Sequence, residues 1–479
     1  MSKYIATIGL EMHCEISETN SKVFSSARNG YTDIPNSNIR PLDMGFPGTL
    51  PVLNKKCVEM SLMMSQILHC KQPEYMYFER KNYYYPDMPK NYQITQNPPE
   101  DCVGMGGYID IRREDGSVFR VEIDNYHLEE DAASMNHLEG CSTIDYNRAG
   151  VPLLELVTKP CIHSADDAVL FLEYVRQIYQ YCNISEADSK KGQIRCDVNI
   201  SISDKEGELG TKVETKNVNS FRAVHDTIMY EIERQSSLKE DGRYDEVVQE
   251  TKRWDEESGT TITMRSKEDA EDYKYFVEPN IPKFKISNEW LEKISKSIPI
   301  LPYERIDKYV GEYGLSNRDA KILTKEKPLA DYFEEAVSLG ANPQSAANWL
   351  NSIILGHINK MELNIQDLFL TPKMLKELID LVEGNKISIK QAKEVLTKAL
   401  EEEKDPVKLV SELGITQITD EKELTSIIDE VISENQSQLE AYKKNPKLFD
   451  YFVGQVMKKT RGKANPALTA KILKQELEK

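Results

Sequence analysis

The chain has 479 residues, 39% of them hydrophobic and 29% charged, which fits a soluble globular protein of roughly two to four domains and excludes a disordered chain. Lys and Arg number 61 against 79 Asp and Glu, a net charge of −18, so attachment to nucleic acid by bulk charge is excluded, whereas a local basic patch is not. No apolar run approaches the ~18 residues of a membrane span, the N-terminus enters strand-like sequence without signal-peptide architecture, and eight cysteines without a C-x-x-C pair read as reduced thiols of a cytoplasmic protein.

In chain order, Ile8, Leu10, Met12, Cys14 and Ile16 alternate with Gly9, Glu11, His13 and Glu15, the period of a strand. That period sets Glu11, His13 and Glu15 on one face. Carboxylates and an imidazole on a rigid strand suit a divalent ion, although a solvated strand face has the same composition. The stretch Phe78–Lys90 mixes Arg80, Lys81 and Lys90 with Tyr83, Tyr84 and Tyr85. Such a mixture cradles phosphates and stacks on bases, or forms a tyrosine-rich core strand that leaves through the turn at Pro86. Phe119, Val121 and Ile123 alternate with Arg120, Glu122 and Asp124, and His127-Leu128-Glu129-Glu130-Asp131 follows. Glu155 sits inside the apolar run Pro152–Leu156, and a buried acid needs a partner or a metal.

Ser164 begins a predicted helix whose apolar face carries Val169, Leu172, Val175, Ile178 and Cys182. Ile194–Ile202 alternates again and puts Arg195, Asp197 and Asn199 on one face; Glu214 and Lys216 share the face of another strand. Together these segments predict a mostly antiparallel sheet with one polar face. From Ser295 the chain reads as helices, with a turn at Gly384-Asn385-Lys386 and Ser388 as a cap. Pro406, after the charged run Glu401–Asp405, marks a boundary. The expected domains are 1–294, 295–405 and 406–479. The segment Gly454–Lys479 holds seven Lys or Arg and two Glu, a local +5; Lys458, Lys459, Arg461 and Lys463 there suit phosphate contact or the C-terminal end of a helix.

Several acids with few histidines indicate magnesium or manganese over zinc, and magnesium in turn indicates a phosphorylated substrate. No G-x-x-x-x-G-K-[ST] is present and Gly104-Met105-Gly106-Gly107 reads as a turn, so an ATP site here is of the sheet-based, carboxylate-lined kind.

Taken in order, Ile8–His13, Asp43–Pro51, Phe78–Tyr83, His127–Asp131, Asp145–Leu153, Arg195–Asn199, Lys216–Phe221, Met264–Glu268 and Gly462–Pro466 resemble the B-subunit (GatB) family of tRNA-dependent amidotransferases over nearly the whole chain. The resemblance implies an α+β fold. An antiparallel-sheet cradle, similar to the glutamine synthetase and guanido kinase fold, precedes an all-α helical domain and an all-α tail domain (YqeY-like). It implies ATP-dependent phosphorylation of the side-chain carboxylate of misacylated Glu-tRNA(Gln) and/or Asp-tRNA(Asn). Amidation follows, with ammonia from glutamine hydrolysed in an A subunit, inside a heterotrimer completed by a C subunit. The cofactors are ATP and magnesium or manganese; the partners are these subunits and tRNA, with neither membrane nor DNA.

On this reading Glu11, His13 and Glu155 are catalytic. With Glu129, Glu130 and Asp197 they form the metal site, the inward-facing member of Glu129 and Glu130 being open. Arg80, Lys81, Arg195, Asn199, Glu214, Lys216 and Arg253 are expected around ATP and its phosphates. Lys458, Lys459, Arg461 and Lys463 are expected on tRNA backbone. The chain departs from the family pattern at Ala132–Asn136, where a Gly-Lys-Ser-like stretch is usual, and at Asn280, where an acid is usual. Thr215 within Glu214–Asn217 keeps both charges on one face. A free-standing ligase acting on a small carboxylic acid explains the acidic face but not the basic tail. A non-catalytic tRNA-binding scaffold explains the tail but not the convergence of the acids.

Overall fold

The alternation that begins at Ile5 builds β1 (Ile5–Glu15), whose Ile8, Leu10, Met12 and Cys14 are fully buried while its odd-numbered residues face the other way. In the computed structural model, which describes residues 3–99, 101–266, 272–415, 421–442, 448–460 and 463–477, β1 lies inside a nine-stranded sheet. The order is β14 (Thr260–Ser266), β13 (Glu250–Asp255), β12 (Val213–Val218), β11 (Ile194–Ser203), β1, β10 (Pro152–Thr158), β7 (Val118–Glu130) and β5 (Gly104–Met105), with β6 (Tyr108–Arg112) also on β7. Every neighbouring pair is antiparallel except β12 and β13.

Helix α2 (Ala165–Tyr181) connects β10 to β11, and α3 (Phe221–Glu240) connects the parallel pair β12 and β13. The first starts as the sequence predicts, with Ser164 Oγ accepting from the Asp167 amide; the second, which was not predicted, is capped in the same way by Ser220 Oγ, which accepts from the Ala223 amide. Phe171, Leu172, Val175 and Ile178 of α2 and Val224 and Ile228 of α3 are buried. Smaller pieces surround the sheet: β3 (Glu79–Asn82) between β15 (Phe276–Val277) and β4 (Tyr92–Thr95), β2 (Tyr75–Met76) with β16 (Phe284–Lys285), and the hairpin β8 (Ser134–Leu138) and β9 (Cys141–Asp145). Helix α1 (Lys55–Ile67) packs with α4 (Asn288–Ser295), where Trp290 Nε1 donates to Glu59 and Gln66 donates to the Leu291 carbonyl.

Residues 1–300 and 301–479 form two compact units. The first closes at 300, slightly beyond the expected 294, because α4 belongs to it. The second contains two hydrophobic cores, one from Ile306 to Val410 and one from Leu424 to Leu477. The helix Pro406–Glu412 therefore sits with the helical core through Leu409 and Val410, and not with the tail as the boundary at 405/406 expected. The preceding helix does end before Pro406, at Glu402, but the next one begins there. Pro406 occupies the first turn of a helix, where its missing N–H costs no hydrogen bond, and Asp405 caps that helix. The predicted turn at Gly384 and the cap at Ser388 are both in place.

Candidate active site

Strand register assembles the site. Across β1 and β11, Glu11 pairs with Asp197 and His13 with Arg195; across β1 and β10, His13 pairs with Glu155. Across β10 and β7, Glu155 pairs with His127 and Leu153 with Glu129. Directly opposed residues share a face, so four strands deliver these side chains to one side of the sheet, and a slip of one residue would turn any strand's set into the core. All of them except His127, which stands behind Glu155, line a cavity of about 530 Å³ together with Lys216 of β12, Asp131, and Lys81, Tyr83, Tyr85 and Tyr273 from the segments around β3.

Glu155 is the hub. Its Oε2 lies 3.1 Å from His13 Nε2 and 3.3 Å from His127 Nε2. His13 Nε2 is also 3.9 Å from Glu11, and His127 Nε2 3.7 Å from Glu129, which accepts from Thr95 Oγ1 at 2.9 Å. Burial opposes charge on both imidazoles, but the hydrogen bond to Glu155 and the surrounding carboxylates hold the proton on His13, raising its pKa to about 9; Glu155 and Glu129 raise that of His127 to about 10. Burial acts on Glu155 in the opposite sense, yet His127 and His13 keep it well below the usual carboxylate range. Glu11 is pushed up to about 7 by burial and by the charge of Glu155. Further along the face Lys216 Nζ binds Asp197 at 2.8 Å and Glu214 at 3.3 Å, and Arg195 donates to Asp131 at 2.6 Å.

Of the residues expected in the metal site, Glu11, His13, Glu129, Glu155 and Asp197 line the cavity. Glu130 does not. It points to the other face, 2% exposed, where Lys90 Nζ donates to it at 2.8 Å and the Ile94 amide at 2.8 Å. Of the residues expected around ATP, Lys81, Arg195 and Lys216 line the cavity. Arg80 is held by both oxygens of Glu278 and lies over the rings of Tyr92 and Phe276. Arg253 pairs with Asp255 at 3.1 Å on a half-exposed strand. Asn199 and Glu214 share the face by register, one step beyond the cavity, and Glu214 accepts from Thr251 Oγ1.

In the tail, Lys458 and Lys463 are exposed, Lys459 is paired with Glu430 at 2.9 Å and Glu434 at 2.7 Å, and Arg461 lies outside the described residues. Sequence reasoning missed His127 and Asp131 as site residues. Both share the period-two face of Glu129, the signal that singled out Glu11 and His13. Tyr273 lies in an irregular segment and carries no such signal.

A family profile described as the GatB/GatE catalytic domain matches residues 6–292, and one described as the GatB domain matches residues 331–477. The chain belongs to the GatB family. Relatives named as the B subunit of aspartyl/glutamyl-tRNA(Asn/Gln) amidotransferase include one from Persephonella marina, 45% identical over 473 residues covering 98% of both chains. Another, from Brevibacillus brevis, is 43% identical over 481 residues, 100% of this chain and 99% of its own. A third, from Carboxydothermus hydrogenoformans, is 42% identical over 486 residues, all of both chains.

The GatB-family site has a donor set that fits a divalent cation. Glu11, His13 and Glu155, and likewise His127, Glu129 and Glu155, bring their ligand atoms within 4.8 Å of one another. Carboxylate oxygens dominate both groups, which suits magnesium or manganese. Among the described residues no helix is long and apolar enough to cross a membrane, and the eight cysteines are free thiols.

Proposed function

We propose that this chain is the transamidating subunit of an aspartyl/glutamyl-tRNA(Asn/Gln) amidotransferase. It phosphorylates the side-chain carboxylate of a misacylated tRNA with ATP and then converts it to the amide. A carboxylate resists amination because its leaving group would be oxide. Transfer of the γ-phosphoryl group to a carboxylate oxygen releases ADP and leaves an acyl phosphate. Ammonia then attacks the acyl carbon, loses a proton, and inorganic phosphate departs.

Both partners of the first step are anions. Lys216, Arg195 and Lys81 border the cavity from three strands and offer positive charge to each. Magnesium or manganese held by Glu11, Glu129, Glu155 and Asp197, and by His13 once the ion displaces its proton, would supply further neutralisation of the triphosphate. Glu155 keeps the two imidazoles in place. The scaffold reads as similar to the glutamine synthetase and guanido kinase cradle, in which a sheet's polar face does this work. The remaining parts of the reading are an A subunit that supplies ammonia from glutamine, a C subunit, a tail that meets tRNA backbone, and a cytoplasmic location.

The observation that carries the reading is the convergence of Glu11, His13, Glu129, Glu155 and Asp197 from four strands onto one cavity wall beside Lys216 and Arg195. The test is reconstitution with A and C subunits, ATP, glutamine and each misacylated tRNA, followed by analysis of the attached amino acid. Glu155→Ala should lower amidation by about a hundredfold or more while glutamine hydrolysis by the partner persists. A Glu155→Ala complex that amidates at the parental rate refutes the assignment.

A further inference from the structure

The first unit holds a further groove, of about 970 Å³, whose lining residues are distinct from those of the site above. It lies between the β2–β16 ribbon, the start of α4 and the segment that enters β5. Lys71, Lys283 and Lys285 line it against one acid, Glu74. In a chain of net charge −18, cations gathered in this way mark a place for an anion. We propose that this groove binds the phosphate backbone of an RNA strand, a contact of the first unit with tRNA that is separate from the tail. This rests on the function proposed above, which makes tRNA the substrate.

The cations are positioned without being neutralised. Lys283 Nζ stands 5.2 Å from the centre of the Tyr75 ring and 5.0 Å from that of Tyr77, and Lys285 Nζ 5.9 Å from Tyr75. A ring face attracts an ammonium but leaves it its full charge and donors for an anion. Lys285 also pairs with Glu74 at 3.3 Å, whereas neither Lys71 nor Lys283 has a carboxylate partner among the described residues. Lys71 is fixed through its backbone, which exchanges two hydrogen bonds with Met105, both at 3.0 Å. Met105, Ile286 and Leu291 add apolar surface, and cations beside apolar surface suit a sugar–phosphate chain better than a small hydrated anion. The first turn of α4, entered at Ser287 and Asn288, contributes the positive end of a helix. Position then selects RNA among anions. The chain segments that form the groove also lead to the catalytic cavity: β2 runs on to β3, which carries Lys81, and β15, paired with β3, leads to β16. Six residues separate Tyr75 from Lys81, a span of at most ~20 Å. A nucleic-acid helix carries a phosphate about every 3.4 Å on each strand, so a tRNA whose acylated end enters the cavity brings several phosphates into that distance.

The test is equilibrium binding of tRNA to the complex assembled with A and C subunits, by filter binding across a salt series without ATP or glutamine. Lys71→Gln combined with Lys283→Gln should weaken binding at low salt and lower the slope of log affinity against log salt by about 1.5. Lys71→Arg combined with Lys283→Arg should keep the parental slope, which separates charge from packing. Lys3→Gln combined with Lys190→Gln removes the same charge at exposed positions outside the groove and should leave the slope near its parental value.

A slope unmoved by the glutamine pair in the groove overturns the proposal. So does an arginine pair that behaves like the glutamine pair, or an outside pair that lowers the slope equally, since bulk charge then accounts for the effect. A complex that binds no tRNA refutes the functional reading as well, whereas tRNA bound with an unmoved slope removes the groove alone. Amide formation enters none of these readouts.

Discussion

Single residues behind the cavity carry a pH signature that can be read without any substrate. Asp101 is fully buried; its Oδ1 accepts from the Asn97 amide and its Oδ2 has no hydrogen-bond partner. Burial, with the nearby Glu79, raises its pKa from 3.8 to about 7. The folded state therefore holds a proton that the unfolded state releases, so this residue's stabilisation is complete below the lower value and is lost as pH rises through the upper one. Asp101→Asn should flatten the dependence of the urea midpoint on pH between about 4 and 7 and raise the midpoint at about pH 8 relative to the parent. An unchanged profile would show that Asp101 ionises normally. Glu130 is buried beside a cation. Its partner Lys90 is only 7% exposed, so Glu130→Ala strands a buried ammonium and should cost about 3–5 kcal/mol in urea unfolding. The pair Glu130→Gln with Lys90→Met keeps an acceptor for the Ile94 amide and should recover most of that loss, whereas equal losses in the single and double variants would contradict an ion-pair role. The sequence marked both Glu129 and Glu130 as acids near a strand. Their opposite faces follow from strand period, but which face is inward depends on Leu153 of β10 lying opposite Glu129, a partner distant in the chain.

Among elements, the strands were legible and their neighbours were not. Apolar and polar residues alternate along β1 from Ile8 onward and along all of β11, so period alone identifies them. The order β11-β1-β10-β7 is decided by crossovers through α2 and by tertiary packing, for which no local signal exists. Loops were the least legible. In Asp43–Pro51 two glycines look equivalent in sequence, yet they differ in the fold. Gly45 has φ +69° and a Cβ there would stand 2.2 Å from the Pro89 carbonyl oxygen, while Gly48 has φ +82° and open space around it. Gly48→Ala should cost about 1 kcal/mol of backbone strain, and Gly45→Ala distinctly more, about 2 kcal/mol or above, because Pro89 backbone must shift. Urea midpoints of the two variants decide it; equal losses would remove the claim of close approach between this loop and the segment leading into Lys90.

Over the whole molecule, the charge of −18 argues against a nucleic-acid partner, and the tail's local excess of cations argues for one. In sequence, Lys458, Lys459, Arg461 and Lys463 look equivalent. The fold separates them: Lys459 is committed to Glu430 and Glu434 across the tail core, while Lys458 and Lys463 are exposed. A lysine already neutralised by two carboxylates releases few counterions on meeting a phosphate, so it contributes little to the salt dependence of binding. Each unpaired lysine that contacts a phosphate should steepen the plot of log affinity against log salt by about 0.7–0.9. Replacing Lys458 and Lys463 by Gln in the assembled complex should therefore weaken tRNA binding at low salt and reduce the slope by about 1.5. Lys459→Gln should leave the slope near its parental value and change tail stability little, because its ion pairs are exposed to solvent. Filter binding across a salt series measures the slope, and urea unfolding the stability. A Lys459→Gln variant that flattens the slope as strongly as the other two would mean that its ion pairs open when tRNA binds, and a slope unmoved by Lys458 and Lys463 would remove the tail from the tRNA interface.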